Sequence, residues 1–79
     1  MSNNVKIYST PSCVYCFKAK DFFKSHNVDY QEFNVSTDQQ AREEMINITG
    51  QMAVPVIDID GKVIVGFDEA AMKRALGIA

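Results

Sequence analysis

The chain has 79 residues, of which 47% are hydrophobic and 23% charged, and its formal net charge is -2. This length predicts one domain, residues 1–79, because a chain of this size buries only about 60% of the surface that its unfolded form exposes. The charge balance provides no basic stripe for a nucleic acid, and no apolar run reaches the length of about 20 residues that a membrane span needs. We therefore expect a cytoplasmic monomer without nucleic-acid or membrane partners.

The first half of the chain predicts a strand, a helix and a second strand. Val5 to Tyr8 is a short apolar strand, and the helix runs from Phe17 to about His26. Residues 28–35 alternate in a way that predicts a strand covered on both faces. The buried side of the helix is expected to carry Cys16, Ala19, Phe22 and Phe23. The core is expected to include Phe17, Phe22, Phe23, Phe33 and Met45.

The second half predicts a helix, a hairpin and a last helix. Thr37 and Gln40 have the spacing of a capping box, and Gly50 is placed to end the helix that they begin. The pair at residues 60–61 is Asp-Gly, a strong signal for a two-residue hairpin turn. Asp68 is a candidate cap for the last helix, which Gly77 would end. The expected apolar stripes of the two helices are Ala41, Met45 and Ile48, and Met72, Ala75 and Leu76. The predicted order of elements is βαβαββα.

Both cysteines, Cys13 and Cys16, fall between the first strand and the first helix. A helix start carries a partial positive charge of about half a unit, and cysteines there can have their pKa lowered from about 8.5 to roughly 3.5–7.5. The spacing brings the two Cβ atoms to about 5–6 Å in a regular helix, so small adjustments would close a disulfide. Redox chemistry is the main prediction, and two buried hydrophobes or a zinc site are the alternatives. Two cysteines and one histidine fall short of the four ligands of a structural zinc site, so we expect no metal.

A C-x-x-C pair at a strand-to-helix junction of a βαβ unit is typical of thioredoxin-like redox proteins. The stretch from Tyr8 to Cys16, Val54-Pro55 and Gly66 to Asp68 together resemble the glutaredoxin family over essentially the whole chain. The resemblance implies a thioredoxin-like α/β fold, with a central four-stranded mixed sheet flanked by three helices. It also implies a glutathione-dependent thiol-disulfide oxidoreductase, with glutathione as co-substrate and no tightly bound cofactor.

Roles for the cysteines and the proline follow from their positions and from the resemblance. Cys13 is expected to be the nucleophile, and Cys16 or a second glutathione would resolve the mixed disulfide. Pro55 is expected to be a cis-proline that faces the cysteines, although an ordinary proline of an edge strand fits the sequence too. The backbone of Val54 would then pair with that of a bound cysteinyl substrate, in the manner of an added strand.

Four further residues are expected, by resemblance, to hold glutathione. Tyr15 would form a wall beside its sulfur, and Arg42 would bind its glycine carboxylate in a two-pronged fashion. The N–H groups at Phe67 and Asp68 would hold the γ-glutamyl carboxylate. The structural alternatives are an exposed aromatic, a surface arginine and a capping aspartate. Thr10 stands where glutaredoxins commonly have lysine, so a weakened affinity for glutathione is expected.

Three functions fit the sequence. The first is reduction of protein disulfides or glutathione mixed disulfides with glutathione. The second is a redoxin that thioredoxin reductase recharges and that donates electrons to ribonucleotide reductase, because Val14 and Gly66-Phe67 are similar to that group. The third is an iron-sulfur carrier in which two chains and two glutathiones hold a cluster through Cys13.

Overall fold

The computed structural model describes residues 4–77 and arranges them as alternating strands and helices around one sheet. The order βαβαββα is confirmed. The elements are β1 (Val5–Ser9), α1 (Val14–Ser25), β2 (Gln31–Asn34), α2 (Gln39–Thr49), β3 (Val56–Ile59), β4 (Lys62–Val65) and α3 (Glu69–Leu76). Within these residues, no helix is both long and apolar enough to cross a membrane.

The sheet is mixed, with the strand order β2-β1-β3-β4. β1 is parallel to β2, which the crossover through α1 allows, and it is antiparallel to β3. β3 and β4 form a hairpin, whose turn residues Asp60 and Gly61 have φ angles of 51° and 90°. Positive φ at both positions is what the predicted two-residue turn requires.

Successive residues of β1 point to opposite faces of the sheet, and this alternation divides the core in two. Ile7 packs with α1 and α3 on one face, and Tyr8 packs with α2 on the other. The first cluster contains Val5, Ile7, Ala19, Phe22, Phe23, Ile57, Ile59 and Met72. The second contains Tyr8, Val35, Ala41, Met45 and Val56. Ala75 and Leu76 pack against the first cluster, as predicted for α3.

The helix ends agree with the sequence except at the start of α2. Gly50 and Gly77 cap α2 and α3 in the left-handed conformation, and Asp68 caps the start of α3. The predicted capping box of Thr37 and Gln40 is wrong. Asp38 is the cap, since its Oδ1 accepts a hydrogen bond from the N–H of Ala41 at 3.0 Å. The Thr37 hydroxyl instead donates to the carbonyl of Asn34, within the preceding turn.

Three expectations about burial are wrong. Phe17 is 52% exposed, because it lies one residue beyond Cys16 on α1 and points away from the buried stripe. Ile48 is 38% exposed, because the buried stripe of α2 follows Ala41, Met45 and the half-buried Thr49, and Ile48 lies beside that stripe. The strand predicted over residues 28–35 is shorter, and its first two residues are exposed because β2 lies at the edge of the sheet.

Candidate active site

The predicted site residues of three segments meet at one end of the sheet. Tyr8, near the end of β1, is paired with Val56 at the start of β3, and Val56 is paired with Val65 at the end of β4. The segments that follow β1, precede β3 and follow β4 are therefore neighbours. They carry Cys13, the Val54-Pro55 pair and the residues that lead into α3.

Cys13 is the N-cap of α1, and it is partly exposed. Its Sγ accepts a hydrogen bond from the backbone N–H of Cys16 at 3.3 Å, in the way that a side-chain oxygen caps other helices. Its own N–H donates to the carbonyl of Thr10, also at 3.3 Å. The sulfur thus sits at the N-terminal end of the helix, within reach of a backbone N–H donor.

Cys16 lies one turn into α1 with a different environment. Its side chain has no exposed surface, and it belongs to the buried side of the helix. Burial and the hydrogen bond with Cys13 raise the pKa of the Cys16 thiol from 9.0 to about 12. At neutral pH, Cys16 is therefore a protected thiol, and Cys13 is the sulfur that a substrate can reach.

The segment before β3 has the predicted cis geometry, at the Val54–Pro55 peptide bond. The carbonyl of Pro55 accepts a hydrogen bond from the N–H of Gly66 at 2.7 Å, which ties this segment to the start of the next. Within residues 4–77, no hydrogen bond outside the helices and strands uses the backbone of Val54. Both of its polar groups are therefore free of partners in the described part of the chain.

The residues beyond β4 are fixed in different ways. Asp68 is exposed, and its Oδ1 accepts the N–H of Ala71 at 3.1 Å, so its capping role is confirmed. Phe67 packs against the cluster that contains Phe23 and Met72. Its ring therefore anchors the start of α3, and its backbone is the part that a ligand would meet.

The other two predicted site residues lie on helices, Tyr15 on α1 and Arg42 on α2. Tyr15 is 57% exposed, and the Nζ of Lys18 lies 5.1 Å from the centre of its ring. Arg42 lies half-buried in the first turn of α2, where its N–H donates to the carbonyl of the capping Asp38. Its guanidinium makes no ion pair among residues 4–77.

A small cavity of about 80 Å³ lies beside the Val54-Pro55 segment. Thr10 and Val54 line it together, so the cavity borders both the loop that leads to Cys13 and the segment before Pro55. Its lining residues are Thr10, Val35, Met45, Met52, Ala53 and Val54. A second cavity of about 230 Å³ lies by the start of α2, beside Phe33, Asp38 and Glu44.

One contact near the cysteines was missed by the sequence reasoning. Lys20 of α1 is mostly buried and pairs with Glu32 of β2 at 2.8 Å. The hydroxyl of the buried Ser9 donates to the same carboxylate at 3.3 Å. The hydrogen bond that Lys20 donates to Glu32 holds the pKa of the Glu32 carboxyl below its usual value. Lys20 is one turn beyond Cys16, and that spacing was the only sequence signal.

The described residues contain no group of three or more His, Cys, Asp or Glu side chains arranged to hold a metal ion. The chemistry that this end of the sheet does offer is nucleophilic. The site combines a partly exposed sulfur at a helix start, a protected second thiol and a segment before β3 whose backbone groups are unpaired among residues 4–77. This combination fits disulfide exchange with an extended substrate.

Comparisons with known proteins agree with this geometry. The family model described as Glutaredoxin matches residues 5–64. A glutaredoxin-like 8.6 kDa protein from the rubredoxin operon of Clostridium pasteurianum is 47% identical over 91% of this chain and 96% of its own length. Glutaredoxin 3 of Escherichia coli K12 is 41% identical over 94% of this chain and 89% of its own.

Solved structures share the whole fold. The thioredoxin-like protein BC3987 superposes with a TM-score of 0.87 at 33% identity, and the match covers 92% of this chain and all of that one. A complex of buckwheat glutaredoxin with glutathione gives a TM-score of 0.76 at 26% identity, over 98% of this chain and 83% of the other. The fold is therefore thioredoxin-like, as predicted.

Proposed function

This chain belongs to the glutaredoxin family of thiol-disulfide oxidoreductases, and on that premise we propose that it reduces protein disulfides and glutathione mixed disulfides with glutathione as the electron source. The observation that carries this proposal is the asymmetry of the two cysteines. Cys13 is accessible and hydrogen-bonded at a helix start, whereas Cys16 is wholly buried. A dithiol reductant needs this division between an attacking and a resolving sulfur.

The reaction follows from that division. The Cys13 thiolate attacks one sulfur of a client disulfide, forms a mixed disulfide, and releases the other client sulfur as a thiolate that takes up a proton. Cys16 then loses its proton and attacks the Sγ of Cys13, which releases the second client thiol. The client gains two electrons, and the protein is left with a Cys13–Cys16 disulfide. Two molecules of glutathione return the protein to the dithiol and become oxidised glutathione.

Glutathione would lie along the end of the sheet described above. Its cysteine would pair with the free backbone groups of Val54. Its γ-glutamyl carboxylate would meet the N–H groups at Phe67 and Asp68, since anions are favoured at a helix start. Arg42 would bind the glycine carboxylate, and Tyr15 would cover the sulfur. The buckwheat glutaredoxin, solved with glutathione, supports this placement through its similar fold.

A second candidate is a redoxin that thioredoxin reductase recharges. Two features favour it: Val14, which is 64% exposed beside Cys13, and Thr10, which provides no positive charge for glutathione. An exposed apolar residue next to the nucleophile suits contact with a protein reductant better than contact with a charged tripeptide.

The experiment that separates the two follows NADPH consumption with a small disulfide substrate. One arm contains glutathione and glutathione reductase, and the other contains thioredoxin reductase alone. We expect turnover in the glutathione arm and its loss in Cys13→Ser. Turnover only in the thioredoxin reductase arm would overturn the proposal in favour of the second candidate.

A further inference from the structure

The cavity beside Val54 is apolar although it borders the site at which a charged tripeptide is proposed to bind. Five of its six lining residues are apolar, and Thr10 is the exception. Met52, one of the lining residues, is 62% exposed, so the apolar surface of the cavity continues onto the surface of the protein. The wall offers no cation to the carboxylates of glutathione.

The position of the cavity relative to the cysteines indicates what part of a substrate would reach it. Val35 and Met45 belong to the core cluster on the α2 face of the sheet, whereas Cys13 begins α1 on the opposite face. A peptide that pairs with the backbone of Val54 is extended, and its successive side chains point to opposite sides. When its cysteine points towards Cys13, the neighbouring side chain points towards the α2 face and the cavity.

The volume of the cavity limits the size of the side chain that it can hold. A dry apolar cavity of about 150 Å³ binds benzene. A cavity of about 80 Å³ therefore has room for about half as many carbon atoms, which is the size of the branched end of leucine or valine. Such a group would displace water from an apolar wall, and this favours binding. Glutathione has no apolar side chain to place there.

We propose that this cavity is a specificity pocket for an apolar side chain next to the reacting cysteine of a client disulfide. The inference rests on the proposed function, because it names the client of the same redox site. It separates the two substrates of the reaction: the client is selected through an apolar neighbour of its cysteine, and glutathione is bound without use of the pocket.

The test measures electron transfer from the protein to peptides in the absence of glutathione. The reduced protein, freed of reductant, is mixed with the homodisulfides of three short peptides that differ only next to their cysteine. One has leucine before the cysteine, one has leucine after it, and one has glycine on both sides. Rates are taken from acid-quenched samples and divided by the rate of each peptide with dithiothreitol, which removes differences in intrinsic reactivity.

We expect at least one leucine peptide to react about 10-fold faster than the glycine peptide, as partial burial of one leucine side chain implies. Met52→Ser removes part of the wall, and it should reduce this preference by about threefold or more. Ile46→Ser is the matched control, because Ile46 is an exposed apolar residue of α2 outside the cavity, and it should leave the preference unchanged.

Equal rates for the three peptides would overturn the inference, and so would a preference that survives Met52→Ser. Failure of the proposed function looks different, since it is seen in the coupled assay with glutathione. A protein that prefers the leucine peptide but receives no electrons from glutathione would retain the pocket and lose the proposed reductant.

Discussion

The backbone N–H of Cys16 donates a hydrogen bond to the Sγ of Cys13 at 3.3 Å, while the side chain of Cys16 itself is fully buried. One residue thus supports the charge on the attacking sulfur through its backbone and keeps its own thiol away from solvent. The helix start provides the donor, and the core behind α1 provides the burial. The order of the two sulfurs in the reaction follows from this relationship.

Alkylation at neutral pH should therefore distinguish the two cysteines. With a pKa of about 12, Cys16 exists as a thiolate in about one molecule in 10⁵ at pH 7, and it is also inaccessible. We expect reduced Cys16→Ser to react with iodoacetamide as fast as the native protein. Reduced Cys13→Ser should react at least about 10-fold more slowly, because burial, the largest cause of the raised pKa of Cys16, remains in that variant. Peptide mapping of the native protein checks the same point, and a label on Cys16 before Cys13 would be inconsistent with it.

The stability of the reduced protein should fall at alkaline pH. Because the pKa of Cys16 is raised on folding, the folded state keeps a proton that the unfolded state has lost, so stability is present below pH 9 and decreases between about pH 9 and 12. At pH 10.5 the loss should be about 2 kcal/mol. Urea unfolding from pH 8 to pH 10.5 measures it.

Cys16→Ser provides the comparison for this measurement. Its hydroxyl does not titrate in the range, so its free energy of unfolding should change with pH by the smaller amount that the other groups contribute. Burial also raises the pKa of Tyr8, but that contribution is common to both proteins. If the free energy of unfolding fell equally with pH in both proteins, burial of Cys16 would not be the cause of the loss of stability at alkaline pH.

Glu32 should contribute stability that disappears in acid. Its pKa is lowered by the hydrogen bond from Lys20, so this stability is present above the ordinary pKa of 4.5 and is lost as the pH falls through the lower folded value. Because the Glu32 side chain is 43% exposed, we expect Glu32→Gln to cost no more than about 1 kcal/mol at pH 7. The difference from the native protein should be smaller at pH 3 than at pH 7.

The matched control for Glu32 is Asp21→Asn on α1. The side chain of Asp21 is exposed and makes no hydrogen bond or ion pair among residues 4–77, so its replacement should change stability little at either pH. A Glu32→Gln variant whose deficit persists undiminished at pH 3 would mean that the lost contact does not depend on the charge of Glu32.

Arg42 should act on glutathione through its charge. If its guanidinium binds the glycine carboxylate, Arg42→Gln should raise KM for glutathione by about 10-fold, as the loss of one charge-assisted contact implies. The rate of alkylation of Cys13 should not change. Arg74→Gln, an exposed arginine of α3, is the control with an unaltered KM. Equal KM values in both variants would remove Arg42 from the site.

The sequence predicted the elements of the fold because their signals are local. The short apolar run of β1, the Asp60-Gly61 turn and the glycine ends of two helices are properties of a few adjacent residues. The errors occur where tertiary position decides. Phe17 is apolar and helical, but the rotation of α1 leaves it exposed, and the exposure of β2 depends on its place at the edge of the sheet.

The candidate site, like the fold, was predictable where its signals are local. Cys13 and Cys16 were evident from their spacing, and the cis bond before Pro55 from the resemblance. Other features of the site join residues from different elements. They are the hydrogen bond from the N–H of Gly66 to the carbonyl of Pro55, the pairing of Lys20 with Glu32 and the apolar cavity. No local pattern encodes such contacts, so they required the folded structure.

The most direct test of the account is the capture of glutathione by Cys16→Ser. Without a resolving thiol, reaction with oxidised glutathione should stop at one glutathione attached to Cys13, identified by mass spectrometry of the protein and its peptides. The reaction should be faster with oxidised glutathione than with cystine, because only the former provides the carboxylates that Arg42 and the start of α3 are proposed to bind. Absence of the adduct, or equal rates with the two disulfides, would contradict a glutathione-dependent reaction at Cys13.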